Sequence, residues 1–317
     1  MVRAAIFASA IVALAAVVAP TAQAQNPRSF VSGEGNDANA CTRPAPCRSF
    51  QRAHDATAAN GEISVLDTAG YGSLTITKAI SIVNPGGVEA GISVTSGGTA
   101  VTVNAGPNDV VNLRGLIIDG GGIGATGIAF AGGKSLTVEN VVVRNFTSSG
   151  LALAPTSQST IAVSNTHVAS NGGHGIYVQP NSFAAPVTAI FNRVEVYNSG
   201  LMGFGIYANA DDQALVKAIV ADCVSGNNGQ HGYYALGSTS PGTGVVQFYV
   251  FRSTAFNNHG YGVLSDSNSL INVSQSDLEG NSTGPWNTLS NGAVGSYGNN
   301  STTGFTLPNN GENVIPR

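Results

Sequence analysis

Three histidines and three tyrosines stand in recurring settings. His174 lies in NGGHG, His231 in NNGQHG and His259 in NNHG. Tyr177, Tyr207 and Tyr234 lie in GIYV, GIYA and GYYA. A histidine beside carboxylates moves protons in acid–base chemistry, and histidines held in register can ligate a metal. Aromatic rings in a row can stack on the C–H faces of sugars, with a phenol at hand for hydrogen bonds. Which of these the chain offers depends on which residues the fold brings side by side.

Acid–base cleavage of a sugar linkage needs two carboxylates facing one bond. Asp211 and Asp212 are adjacent in ANADDQ, and this segment, like SDSNS, is rich enough in oxygen to hold Ca2+. Both are equally sequences of exposed turns, and turns are the expectation. The histidine series breaks between His174 and His231, so solvated corner residues are expected in place of a metal ladder. No catalytic residue, metal or cofactor is assigned.

The elements that position these residues repeat. A glycine, an apolar residue, any residue and a small or aliphatic one recur as GIAF at Gly127, GLAL at Gly150 and GIYV at Gly175. The series continues with GIYA at Gly205, GYYA at Gly232, GVLS at Gly262 and a degenerate GAVG at Gly292. The spacing is nearly even: Gly127 and Gly150 are the closest successive pair, and none is farther apart than Gly262 and Gly292. A second alternating stretch follows in each unit, with apolar residues recurring five positions on, as Val138 with Val143 and Val163 with Val168. Units close on Asn145, Asn171, Asn198, Asn227, Asn257 and Asn281.

Period-two alternation marks strands with one face inward, and no helical stretch lies between them. A parallel β-solenoid follows, one coil per unit, of roughly nine or ten coils stacked about 4.8 Å apart. Asparagine suits a left-handed corner, and stacked amides form ladders. The expected core column is Ile128, Leu151, Ile176, Ile206, Tyr233 and Val263. Tyr177, Tyr207 and Tyr234 then point outward as a flat stripe, with His174 beside it.

The ends differ from the body. Residues 1–24 carry Arg3, an apolar run and an Ala22-Gln23-Ala24 box, the pattern of a secretory signal peptide cut before Gln25. Losing Arg3 takes the formal charge from −4 to −5, a balance that argues against binding nucleic acid. No later stretch is apolar for long enough to span a membrane. Residues 25–61 read as an N-terminal cap, with a helix over Ser49–Asn60 that covers the open end, and residues 62–317 as the solenoid proper, with coils to about Thr306. His54 on that helix is expected at the surface. Cys41 and Cys47 flank TRPAP and are expected to form a disulfide in an exported chain; Cys223 is left as a buried thiol.

The stretch from Phe30 to Gly87 resembles the opening of secreted right-handed parallel β-helix proteins of the pectin-lyase-like superfamily. Gly35-Asn36-Asp37, Pro46, the Ser49–Asn60 segment, Gly61, Ile63–Val65, Tyr71 and Thr75–Lys78 carry the likeness. The resemblance implies an all-β, right-handed parallel β-helix with an N-terminal capping helix. It leaves function open, since this fold hosts lyases, hydrolases, epimerases and proteins without catalysis. In polygalacturonases a Gly-His-Gly rung lies beside carboxylates on adjacent coils. Here Gly173, His174 and Gly175 match that rung, but neighbouring coils offer TSSG and MGFG, without acid. The expectation is an exported, monomeric, non-catalytic protein that binds a polysaccharide through Tyr177, Tyr207, Tyr234 and His174, or serves at the envelope surface. The alternative is a polysaccharide lyase, hydrolase or epimerase.

Overall fold

The computed structural model describes residues 25–181, 186–208, 215–239 and 244–302. The expected leader, Asp211 with Asp212, and the expected end of the solenoid near Thr306 lie outside the described residues.

Alternating apolar residues produce strands, and each strand finds its partner one coil away. Nine strands, from Leu74–Ile76 to Gly284–Leu289, form a narrow sheet. They pair in chain order, every one parallel to the next. A wide sheet of 17 strands supplies the other faces. Both sheets turn their apolar columns inward onto a single core, and the chain is a right-handed parallel β-helix.

The inward column of the narrow sheet is Ile128, Leu151, Ile176, Phe204, Tyr233 and Val263. Phe204 stands where Ile206 was expected, and Ile206 pairs instead with Val178 and Ala235. The reason is that GFGIY holds two glycines two positions apart, and alternation fits either. Packing chooses Phe204, whose ring meets Phe191 at 5.4 Å and Tyr233 at 5.3 Å. The last coil also differs: the strand that continues the column is Gly284–Leu289, with Trp286 opposite Val263, and Ala293–Ser296 of GAVG joins the wide sheet.

The coil turns at two columns of left-handed residues. One holds Asn140, Asn165, Arg193, Asp222, Arg252 and Gln275, and the other Asn145, Ser170, Asn198, Asn227, Asn257 and Gly280, with φ between 43° and 70°. The offset between corresponding members never changes, as Asn140 to Asn145 and Asn165 to Ser170. The offset from the second corner to the next core residue of the narrow sheet is equally constant, as Asn145 to Leu151 and Ser170 to Ile176. All length variation falls in the connection from that core residue to the next corner. It lengthens coil by coil, from Leu151–Asn165 through Ile176–Arg193 and Phe204–Asp222 to Tyr233–Arg252, and is shorter again in Val263–Gln275.

Corner and ladder were expected of one asparagine per coil; the chain divides them between neighbours. The residue after each corner faces inward, and Asn171, Ser199, Asn228, Asn258 and Asn281 are all buried. Asn228 Nδ2 donates to Asn258 Oδ1, and Asn258 Nδ2 to Asn281 Oδ1, each at 2.8 Å. The same oxygens accept the backbone N–H groups of Asn228 and Asn258. A second internal ladder runs through Thr166, Cys223, Ser253 and Ser276, each accepting a backbone N–H from the preceding coil. The Cys223 thiol thus fills a hydroxyl's place. It is buried as expected, and burial pushes its pKa up to about 11.

At the N-terminus the helix is shorter than expected, Phe50–Ala56, with Ser49 capping it by accepting from Arg52 N–H at 3.2 Å. Thr57 ends it, because the chain from there pairs with the strand Asn26–Val31. The Thr57 hydroxyl bonds Ala53 O at 2.6 Å and Ser29 Oγ at 2.8 Å, which fixes the switch from helix to strand. His54 is buried, against expectation, because its Nε2 accepts the Thr77 N–H at 3.3 Å beneath the cap. Cys41 and Cys47 are disulfide-bonded, with their Cα atoms 4.6 Å apart.

Candidate functional site

The outward column of the narrow sheet runs Ala129, Ala152, Tyr177, Gly205, Tyr234, Leu264 and Asn287. Tyr207 is displaced from it by two positions and pairs with Leu236. Its ring nevertheless returns to the column. A Cβ built on Gly205 would lie 2.6 Å from Tyr207 Cε2, so the glycine vacates the very space the ring occupies. The Tyr207 ring is 5.6 Å from Tyr234 and 5.7 Å from His174, and His174 is 5.5 Å from Tyr177.

The stripe is not flat. These three contacts are edge-on, at 61° to 67° between planes. Ring quadrupoles favour that geometry over face-to-face stacking at the same spacing. Tyr234 faces outward but is only 8% exposed, covered by its neighbours, whereas Tyr177, Tyr207 and His174 are half-buried.

A second column flanks the first, one position before each coil's glycine: Ser149, His174, Met202, His231 and Tyr261. His231 stacks between Tyr234 and Tyr261, 5.8 Å from each and within 26° of parallel. Its Nδ1 accepts the Tyr261 N–H at 2.9 Å, so in the neutral ring the proton sits on Nε2. The Tyr261 hydroxyl accepts from Asn287 Nδ2 at 3.0 Å. Together the two columns make one aromatic patch across four coils. His231 and Tyr261 escape a reading that follows the tyrosine column alone; the available signal was the constant position just before the glycine.

Burial sets the electrostatics. It holds the pKa values of His174 and His231 below the ordinary histidine value and raises those of Tyr177 and Tyr207. Tyr234 is pushed up to about 12 by burial, with Asp266 adding to the effect. At neutral pH the patch is therefore uncharged apart from Asp266 at its edge, whose Oδ2 lies 3.4 Å from the Tyr234 hydroxyl. His174 Nδ1 is buried and has no hydrogen-bond partner among the described residues. Beside Tyr177 a shallow depression is lined by Ala154, Gln179, Pro180 and Asn181.

No group of three or more His, Cys, Asp or Glu that could hold a metal occurs among the described residues. His259 is exposed and apart from the patch contacts of His174 and His231. No helix among the described residues is long and apolar enough to cross a membrane.

A family model for a right-handed beta helix region matches residues 77–217. Among solved structures, the chain is similar to the pectate lyase Pel9A at a TM-score of 0.60 and 15% identity, over 89% of this chain and 80% of that one. It also resembles a rhamnogalacturonan lyase at a TM-score of 0.48 and 13% identity, over 80% of this chain and 74% of the other. No curated protein matches the sequence significantly.

Proposed function

Taking the chain as a right-handed parallel β-helix protein of the pectin-lyase-like kind, we propose that it is an exported, monomeric, non-catalytic protein that binds a polysaccharide on the narrow sheet. The contacts are Tyr177, Tyr207 and His174, with Tyr234 holding Tyr207 in place. The observation that carries this reading is the aromatic patch itself, which is continuous across four coils and half-open to solvent. Sugar C–H faces gain apolar contact on such rings, and phenol, imidazole and amide groups stand ready for hydroxyls. The Nε2–H of His231 is a fixed donor, and Asn181 and Gln179 line the depression next to Tyr177. Paired carboxylates of the kind a hydrolase uses are not found beside these rings among the described residues, where Asp266 is the acid on the narrow sheet. The Cys41–Cys47 disulfide suits an oxidising compartment, which supports export.

The test is binding to a panel of neutral and acidic polysaccharides by affinity electrophoresis, with reaction products assayed in parallel. Tyr177→Ala combined with Tyr207→Ala should remove most binding, since each stacked ring contributes about 0.5–1.5 kcal/mol beyond burial. Thermal unfolding should confirm that the half-exposed rings are dispensable for the fold. Binding that survives the double variant, or cleavage of any polymer, overturns the reading.

A further inference from the structure

We infer that the patch selects uncharged polysaccharide and discriminates against polyuronates, an inference that rests on the glycan-binding reading and narrows its ligand class. The nine strands of the narrow sheet contain no lysine or arginine, and their single charged residue is Asp266. The flanking column adds Ser149, His174, Met202, His231 and Tyr261, and burial disfavours protonation of its two histidines. Segments 182–185, 209–214 and 240–243 carry no lysine or arginine in their sequence. The cations lie elsewhere. Lys134 is two coils from Tyr177, and Arg193, Lys217 and Arg252 belong to the wide sheet or its corner.

A carboxylate laid on this patch would leave water for rings that cannot compensate its charge. It would meet Asp266 at the edge, and it would approach a protein of net negative charge. Hydroxyls, acetyl groups and methyl esters incur none of these costs. Selection here works by the absence of a counter-charge in an apolar, hydrogen-bonding surface.

Matched polymers that differ in charge alone provide the test. One pair is homogalacturonan with its carboxyls methyl-esterified and the same chain after de-esterification. A second is a soluble β-glucan and its carboxymethylated form. Binding is measured at low and high salt with a chelator present. The neutral members should bind, insensitive to salt, and the charged members should bind on the order of tenfold more weakly, with the gap closing as salt screens the repulsion. Ala154→Lys, beside Tyr177, should strengthen binding of the charged members by about threefold and leave the neutral ones unchanged. Equal or tighter binding of the charged members, abolished by Tyr177→Ala with Tyr207→Ala, overturns the selectivity and leaves glycan binding standing. No binding by any member, or binding indifferent to the tyrosine variant, overturns glycan binding itself.

Discussion

Gly205 is where a missing side chain shapes the surface. The ring of Tyr207 fills the outward position that a residue at 205 would otherwise take. Gly205→Ala should push that flexible ring aside at small cost in stability, because the clash is with the end of a side chain. Glycan binding should then fall as far as in Tyr207→Ala, and the double variant should be no weaker than either one. Additive losses in that cycle would mean the two residues act separately. The sequence showed three tyrosines on an alternating face but not the shift at Gly203-Phe204-Gly205. A slip of two positions leaves every side chain on its proper face, so alternation alone has no power to detect it. His174 and His231 add a pH dependence. Burial puts their folded pKa values below the unfolded value of 6.5, so below that pH the unfolded chain binds more protons. Stability is complete above 6.5 and declines on acidification through the window beneath it. Between about pH 7 and 5 the Tm should drop, and less so in a His174→Gln, His231→Gln variant. Asp37, Asp67 and Asp119, also lowered, act only below their ordinary value of 3.8. An equal drop in parent and variant would place the two rings in water.

The two asparagine columns separate corner from ladder at the scale of the strand and its turn. Asn257 has φ 51° and contributes a conformation, whereas Asn258 is buried and bonds Asn228, Asn281 and the Ser225 carbonyl. Asn257→Gly should be close to neutral, since glycine reaches φ > 0 without strain. Asn258→Ala should cost about 2–4 kcal/mol, because it strands several buried polar groups at once. Urea unfolding of the two variants gives the comparison, and similar midpoints would refute the division of labour. The sequence announced an asparagine per coil but not which column it served. Asn171 and Asn281 belong to the ladder, while Asn145 and Asn198 belong to the corner, and only the doublets at 227–228 and 257–258 show both. The capping helix was legible from Ser49 and the apolar spacing. Its end was not, because Thr57 is taken by pairing with Asn26–Val31, a partner far back along the chain that no local pattern encodes.

For the whole molecule, the fold was readable because a solenoid writes its tertiary contacts as a repeat. Each coil touches its neighbours, so one period in the sequence gives the packing of all. The patch was harder to read, since it joins two columns and depends on rings that cross between registers. Stability in such an array is a sum over neighbouring coils, with the ends the first to open. The Cys41–Cys47 link ties down the N-terminal end, and Cys41→Ser with Cys47→Ser should lower stability there by about 2 kcal/mol. Hydrogen exchange should show the loss in Asn26–Val31 and Phe50–Ala56 and not around Ile176; uniform loss along the axis would argue for a single cooperative unit.

The coil lengths set a rule for what can be changed. From first corner to second, and on to the narrow sheet, the count never varies, while the return connection differs from coil to coil, longest in Tyr233–Arg252 and shorter in Val263–Gln275. A short Gly-Ser insertion after Thr156, in that connection, should leave the Tm nearly unmoved, and the same insertion after His167, between the corners at Asn165 and Ser170, should unfold the central coils. The return connections all leave from the strand end that carries Tyr207 and Leu236, along one flank of the aromatic patch. Duplication and drift can therefore rebuild the rim of the binding surface, coil by coil, on a frame that keeps its own dimensions.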